Sequence, residues 1–462
     1  MPQELMSRTN AGLISANLIS DRNPPVVPVG FSKIQPHTIE RQSISPSTGT
    51  IAPGGEVMFR IRKTGGDFVR RIKVVFKARE LWTLDSGVGL ANKKIRYMDW
   101  LGIGCVEYFV LKYGPHTHQR ILPEEVFTYI EATYDDEEKS SAFRMMRGNM
   151  SVDQRIALCE KAQKVEVHIP TAFFSQVESN ALFVPGLTTE YELYVKFKDA
   201  NTIIQANSAA PNSTTSNSLA NSATTWFTEA SLNVEYMHVL EGYRNNLVAA
   251  YRSDKGIRYL FDEFQYYNET VGSATALGST AVQIQIRGGI NEPVKYLAIM
   301  LRWVKDLQRT APTTALGNRE LGRDLFNVDS WWSPEGNTAS NIFSKIRISA
   351  GNNQTVFEET DLEEVLFDTR GRHFEGSVGS ALILLPLSLA PTAKNAVTGM
   401  VDFSLLDTPT VHLTPNSDCG YADLAAAATG AIGESSDLYV TIIGVAHNFV
   451  DAIGSDMHKQ FN

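Results

Sequence analysis

The chain has 462 residues, 43% of them hydrophobic and 20% charged, with a net charge of −9. This is a folded chain, neither disordered nor fibrous. The acidic balance and the absence of a Lys/Arg-rich arm (Arg8 and Arg22 are the only bases in residues 1–30) argue against a protein that gathers nucleic acid by neutralising phosphates.

The opening residues 1–23 are polar, so no secretory leader is expected, and Pro24, Pro25 and Pro28 give residues 1–30 the character of an arm. Strand signals then recur to the end of the chain. Val57, Phe59 and Ile61 alternate with Met58, Arg60 and Arg62, and Ile72, Val74 and Phe76 alternate with Lys73, Val75 and Lys77. The same period of two returns at Val165-Val167-Ile169, Tyr191-Leu193-Val195-Phe197, Val282-Ile284-Ile286, Ile346-Ile348 and Val411-Leu413. It predicts half-buried antiparallel strands. Pro53-Gly54-Gly55, Pro185-Gly186 and Gly351-Asn352-Asn353 supply turns. At ~200–250 residues per large sandwich, two β domains fit the length better than three small ones.

Two stretches interrupt the pattern. Residues 124–164 are rich in Glu, Lys, Arg, Ala and Met and read as one or two helices inserted between strands, with Asp135-Asp136-Glu137-Glu138 as a solvated turn or helix start rather than a metal site. Residues 201–225 are rich in Ser, Thr, Asn and Ala and predict a long exposed loop.

Chemistry is sparse. Cys105, Cys159 and Cys419 are too scattered for a disulfide framework or zinc site and read as buried thiols. The longest apolar run, Ala381–Ala390, contains Pro386 and falls short of the ~20 residues a membrane-spanning helix needs; a soluble protein is expected. No phosphate loop, HExxH, nucleophile elbow or EF-hand loop occurs. His116 and His118 would share a face of a strand, but no acidic or Cys partner stands at ligand spacing, and they read as a polar loop. Glu358-Glu359 and Glu363-Glu364 would point to opposite faces of a strand and cannot flank one bond. Trp331-Trp332 reads as a core or interface anchor. Sequons at Asn149, Asn212, Asn268 and Asn353 read as chance matches. Catalytic residues, cofactors and metals: none is expected, and a structural or binding protein is.

Two segments go further. Asn291-Glu292-Pro293-Val294-Lys295-Tyr296-Leu297 resembles the Asn-His-Pro-Val-Lys-Glu-Leu common to major capsid proteins of nucleocytoplasmic large DNA viruses, the group of iridoviruses and phycodnaviruses, with Glu292 in place of His. Gly399-Met-Val-Asp402-Phe403-Ser404-Leu405-Leu406-Asp407 is similar to that family's Ser-Gly-x-x-Asn-Phe-Ser-Arg-Ile-Asp, with Asp402 for Asn and Leu405 for Arg. The matching residues are thus Asn291, Pro293, Val294, Lys295, Leu297, Gly399, Phe403, Ser404 and Asp407. Weaker likenesses in the same order are Gly66-Asp67-Phe68-Val69, Ile169-Pro170 through Phe197, Val234-Glu235-Tyr236 with Leu240-Glu241 and Arg244, Arg258 through Gln265, and a tail from Ala446. Together they cover residues 56–462; residues 1–50 match poorly.

The resemblance implies an all-β fold of two consecutive eight-stranded jelly-roll β-sandwiches with a short helical insertion: an arm at 1–30, a first roll at 31–248 (helical insertion 124–164, long outer loop 201–225) and a second roll at 249–462. It implies a homotrimeric, pseudo-hexameric capsomer in an icosahedral shell. The partners implied are neighbouring capsomers, minor capsid or cement proteins and a nearby inner viral membrane, without direct nucleic acid binding. The location implied is the virion, assembled in the host cytoplasm. The competing readings are a spike or penton-type capsid protein, which a fivefold assembly would reveal, and a carbohydrate-binding or hydrolytic β-sandwich, which would need carboxylates or a metal meeting in a cleft.

Overall fold

The computed structural model describes residues 37–81, 95–170, 181–207, 226–253, 256–272, 280–304, 342–351, 354–375, 380–393, 397–416 and 437–459, with 307, 320–321, 325–326, 328 and 331. The arm 1–30, most of the 201–225 loop, Cys419, Trp332 and the sequons at Asn212 and Asn353 lie outside the described residues.

The first half supplies strands β1 (His37–Ile44), β2 (Glu56–Ile61), β3 (Phe68–Ala78), β4 (Val106–Tyr113), β5 (His116–Ile121), β6 (Gln163–His168), β7 (Tyr191–Phe197) and β8 (Phe227–Val239). They form two antiparallel sheets, β1-β8-β3-β6 and β2-β7-β4-β5. The second half supplies β9 (Ile257–Val271), β10 (Val282–Gln285), β11 (Pro293–Trp303), β12 (Phe343–Ala350), β13 (Gln354–Asp361), β14 (Ile383–Pro386), β15 (Thr410–Pro415) and β16 (Leu438–Ile453). Their sheets are β9-β16-β11-β14 and β10-β15-β12-β13. Adding eight to each strand number of the first half reproduces the order of the second. Each half is an eight-stranded jelly roll, the arrangement of two interlocked Greek keys.

The alternation read from sequence is the alternation observed. Val57, Phe59 and Ile61 of β2 and Tyr191, Leu193, Val195 and Phe197 of β7 point into the first core. Ile284, Ile346, Ile348, Val411 and Leu413 point into the second.

Registers fix which connections share an end. Val239 lies opposite His37, Met237 opposite Phe68, Tyr191 opposite both Ile61 and Tyr113. The connections 45–55, 79–105, 122–162 and 198–226 therefore leave one end of the first roll, and 62–67, 114–115 and 169–190 the other. The second roll repeats this: 272–281, 304–342, 362–382 and 416–437 at one end, 286–292, 351–353 and 387–409 at the other. Contacts between the rolls join like ends to like ends, so the rolls stand side by side and point the same way.

Three helices, not one or two, occupy the 124–164 insertion: α1 (Pro123–Thr133), α2 (Asp136–Met146) and α3 (Val152–Leu158). Local chemistry divides them. Pro123 opens α1, and the Glu125 carboxylate accepts a hydrogen bond from Leu122 N at 2.8 Å. Asp135 caps α2, accepting from Glu138 N at 2.8 Å, which makes the acidic run a helix start. Arg147, at φ 59°, ends α2, and the Ser151/Gln154 capping box starts α3. Residues 200–207 also depart from a loop: Ala200–Ile203 is a helical turn and Ile204–Asn207 a strand between Ile95–Tyr97 and Glu320–Leu321. Ile203 and Gln205 are buried, and Arg155 donates to Gln205 Oε1. The polar composition concealed two core-facing residues.

Candidate functional site

Buried polar and aromatic contacts concentrate at the junction of the two rolls and at the turns where the chain's distinctive segments meet. Both are built by β11 and β16, which are buried on both faces. In β11, Leu297, Ile299 and Leu301 enter the second core, while Tyr296, Ala298 and Met300 join the cluster that continues into the first roll. In β16, Val440 and Ile442 face inward, and Ile443 and Val445 face the first roll. A strand with no wet face reads as a continuous apolar run instead of an alternation, as Tyr296–Leu301 does.

At the long-loop end the junction is ionic. Arg370, in a short helical turn after β13, donates to the carboxylate of Glu131 on α1 and, at 2.8 Å, to Ser380 O. Lys139 of α2 lies 3.6 Å from the same carboxylate, and all three side chains are buried. Arg302 of β11 donates to Leu325 O and Thr441 Oγ1, both at 2.7 Å, and approaches Glu124 at 3.4 Å. Trp100 packs edge-on against Phe127 and Phe143, with ring centroids 5.1 and 4.5 Å away, and meets Phe326 from beyond β11.

At the short-turn end the junction is aromatic and polar. Helix α4 (Glu241–Arg252) links the rolls, and its buried Tyr251 hydrogen-bonds the Tyr259 hydroxyl of β9 and packs on Phe183. A Cβ on Gly186 would fall 2.7 Å from the Tyr251 ring, so glycine is required there. Tyr113 and Thr188 of the first roll bond Ser455 O at 3.2 and 3.3 Å.

The two strongest sequence segments, about a hundred residues apart, meet below β11. Pro293 pairs with Asp402 and Val294 with Val401, and Phe403 N donates to Glu292 O at 3.4 Å. Phe403 and Leu297 enter the second core. Asn291 is locked to β9: Gln265 Nε2 donates to Asn291 Oδ1 at 2.8 Å, and Asn291 N donates to Gln265 Oε1 at 2.9 Å. Lys295 is buried against Asp262, 2.7 Å away. Asp402 Oδ1 accepts from Ser404 N at 2.9 Å and Ser404 Oγ at 2.6 Å, so the carboxylate performs the capping an Asn would. Gly399 sits at φ 126°, Asp407 O accepts from Gly351 N, and Leu405 is 81% exposed. Two weaker segments also converge: Asp67 accepts from Val239 N at 2.9 Å and pairs with Arg244 at 3.2 Å.

Glu292, standing where the family has His, is buried beside Glu263, whose carboxylate bonds Asn448 and Lys459. Burial and the neighbouring Glu263 push the Glu292 carboxyl up to about 7, against the pull of Lys459. The sequence carried no signal for this cluster, nor for Glu131, Arg302 and Arg370. Lys295 and Arg302, the charged residues that bound the apolar run of β11, are the one trace.

The remaining candidates resolve simply. His116 and His118 lie on strand β5, not in a polar loop; His116 is exposed, whereas His118 is buried against Tyr191 OH at 3.1 Å and burial lowers its pKa to about 4. Glu358 and Glu359 are on β13, but Glu363 and Glu364 begin a helical turn, so the opposite-faces argument applies only to the first pair. Trp331 is a fully buried core residue, donating to Ala381 O at 3.3 Å. Cys105 and Cys159 are buried free thiols. Among the described residues no three His, Cys, Asp or Glu side chains converge as metal ligands, and no helix is long and apolar enough to cross a membrane.

No family model matches the sequence, and no curated protein does. Solved structures do. VP54 of PBCV-1, as fitted into a reconstruction of the virophage Sputnik, aligns at TM-score 0.67 and 17% identity over 94% of this chain and 99% of its own. The Faustovirus major capsid protein aligns at 0.60 and 10% identity over 97% of each chain. A chain of the Sputnik virophage aligns at 0.57 and 7% identity over 96% of this chain and 92% of its own. The fold is thus the double jelly roll, in the form it takes in viral major capsid proteins.

Proposed function

We propose that the protein is the major capsid protein of a large double-stranded DNA virus, a divergent relative of the iridovirus and phycodnavirus capsid proteins. The reading takes 31–248 as the first roll and 249–462 as the second. Three chains form a ring of six sandwiches, a near-hexagonal block that tiles an icosahedral facet, contacting neighbouring capsomers and minor proteins in the virion. The chain serves as a building block rather than an enzyme. The observation that carries the reading is a full-length likeness to capsid proteins in a molecule whose two rolls repeat one strand order and stand in parallel. The family-matched residues have a structural role: Asn291, Pro293 and Phe403 fasten the short-turn end of the second roll.

Light scattering after size exclusion tests it. A stable species of three times 51.1 kDa, giving hexagonal arrays in electron microscopy, is expected. A monomer at every concentration overturns the reading, and a fivefold assembly transfers it to a penton-type protein.

A further inference from the structure

A short strand near the end of the chain sits on the seam between the rolls. Strand β17 (Asp456–Lys459) turns back from β16 through Gly454 and Ser455, at φ 60° and 70°, and pairs with Val450–Ile453. β11 pairs with β16 further along, from Val294 opposite Ala446, so β17 and β11 lie end to end beside β16.

The turn ties three elements together. Thr188 N donates to Ser455 O at 3.0 Å, and the Tyr113 hydroxyl reaches the same oxygen at 3.2 Å and Asp456 Oδ1 at 3.3 Å. Ser455 N donates to Tyr251 O of the linking helix α4 at 3.0 Å. At the other end of β17, Lys459 bonds Glu263 of β9. Yet little apolar surface holds the strand: Met457 is buried, while Asp456 and His458 are exposed. A segment with one buried side chain and a few hydrogen bonds opens at a lower free energy than the sheets behind it.

His118 of β5 faces this strand. Its Nδ1 meets the Tyr191 hydroxyl at 3.1 Å, and its ring lies 5.8 and 5.5 Å from the rings of Tyr113 and Tyr191. The charged groups that bear on it are cationic: Lys459 of β17, then His116 of its own strand, then His458 of β17. The nearby Asp456 carboxylate is turned to Tyr113 and Thr188. The one neighbour that favours a charged ring, the Met457 backbone, belongs to β17 itself. A proton on this imidazole is a buried cation among cations.

We propose that β17 is an acid-released latch between the two rolls: a proton taken up by His118 drives the strand off its seat while both rolls keep their sheets. Under the closed strand the ring stays neutral down to about 4, and once released it titrates at the ordinary 6.5. Opening therefore takes up a proton and is favoured about tenfold per pH unit between those values. Glu292 does not offset this. Its backbone is pinned by Gln265 and Phe403 rather than by β17, and the departure of Lys459 removes the cation that draws its proton away. Release undoes the ties at Ser455 and leaves the buried ionic junction of Glu131 and Arg370 intact. All these contacts lie within one chain, so the latch does not depend on the capsomer reading.

Hydrogen–deuterium exchange of the full chain, followed by mass spectrometry from about pH 7 down to about pH 4.5 and corrected for intrinsic exchange rates, tests it. Residues 456–459 should lose protection about tenfold per unit below 6.5, while 191–197 of β7 stay protected. His118→Asn should abolish that pH dependence. Met457→Ala, which leaves His118 in place, should raise exchange of 456–459 by roughly thirtyfold or more and leave β7 protected; it keeps the proposal testable if His118→Asn does not fold. The same pH dependence in wild type and a folded His118→Asn chain overturns the assignment of the proton. Loss of protection in β7 at the same pH as in 456–459 means that the roll unfolds as a whole, and overturns the latch. Exchange of 456–459 that ignores Met457→Ala also overturns it, because the strand is then not the unit that opens.

Discussion

The same four-stranded sheet occurs twice in this chain and meets two different surroundings. In the first roll, β3 and β8 alternate buried and partly exposed residues, and the outward row is charged: Arg41 and Arg70 reach Glu235 at 3.0 and 3.2 Å, and Lys73 and Lys164 reach Glu166 at 3.8 and 2.7 Å. In the second roll, β11 is buried from Val294 to Trp303, and its outward row is Tyr296, Ala298, Met300 and Arg302. Topology is shared; neighbours are not. The residue pattern of a strand records what covers it more than which strand it is.

The contrast can be broken by substitution. The largest effect is expected at the ionic junction: Arg370→Met strands the buried Glu131 carboxylate with Lys139 alone and should cost about 3–5 kcal/mol in urea unfolding. A loss below about 1 kcal/mol would mean that water reaches Glu131 and the junction is not sealed. Next comes Met300→Ala, expected to cost about 2–4 kcal/mol because it opens a cavity between packed rolls. The smallest effect is Arg41→Ala on the exposed strand β1, expected within about 1 kcal/mol for an exposed ion pair; a cost as large as that at Met300 would erase the distinction.

Between those extremes, pH separates the rolls by sign. The fold of the second roll holds the Glu292 proton more tightly than the unfolded chain does, so stability falls as pH rises from 4.5 through about 7. In the first roll, buried His118 favours the neutral imidazole, so stability falls as pH drops from 6.5 towards about 4. Glu292→Gln should flatten the first slope and leave the second; unfolding midpoints measured across this range decide it, and parallel profiles for wild type and variant would place the proton elsewhere.

How much of this was legible follows from the same contrast. Strands with one wet face, such as β2, β7 and β15, announce themselves by alternation. Doubly buried β11 was identified through resemblance, because a continuous apolar run has no period to count. The insertion read as one or two helices because composition does not register the breaks that Asp135 and Ser151 impose. Glu131, Arg302 and Arg370 look like surface residues in sequence; their burial depends on a partner more than a hundred residues away. The segments around Asn291 and Phe403 were recognised, but that they hydrogen-bond each other is a fact of three-dimensional closure alone.

The parallel stance of the two rolls gives the molecule a polarity. Short turns such as 62–67, 114–115, 286–292 and 351–353 gather at one pole, and the connections carrying helices, 122–162 and 362–382, at the other. A layer tiled from such blocks is two-sided without any further instruction. Lengthening a connection at the far pole costs only about 0.6 kcal/mol per doubling in closure entropy, so one side of the layer is free to diversify in sequence and relief while the opposite side keeps its register.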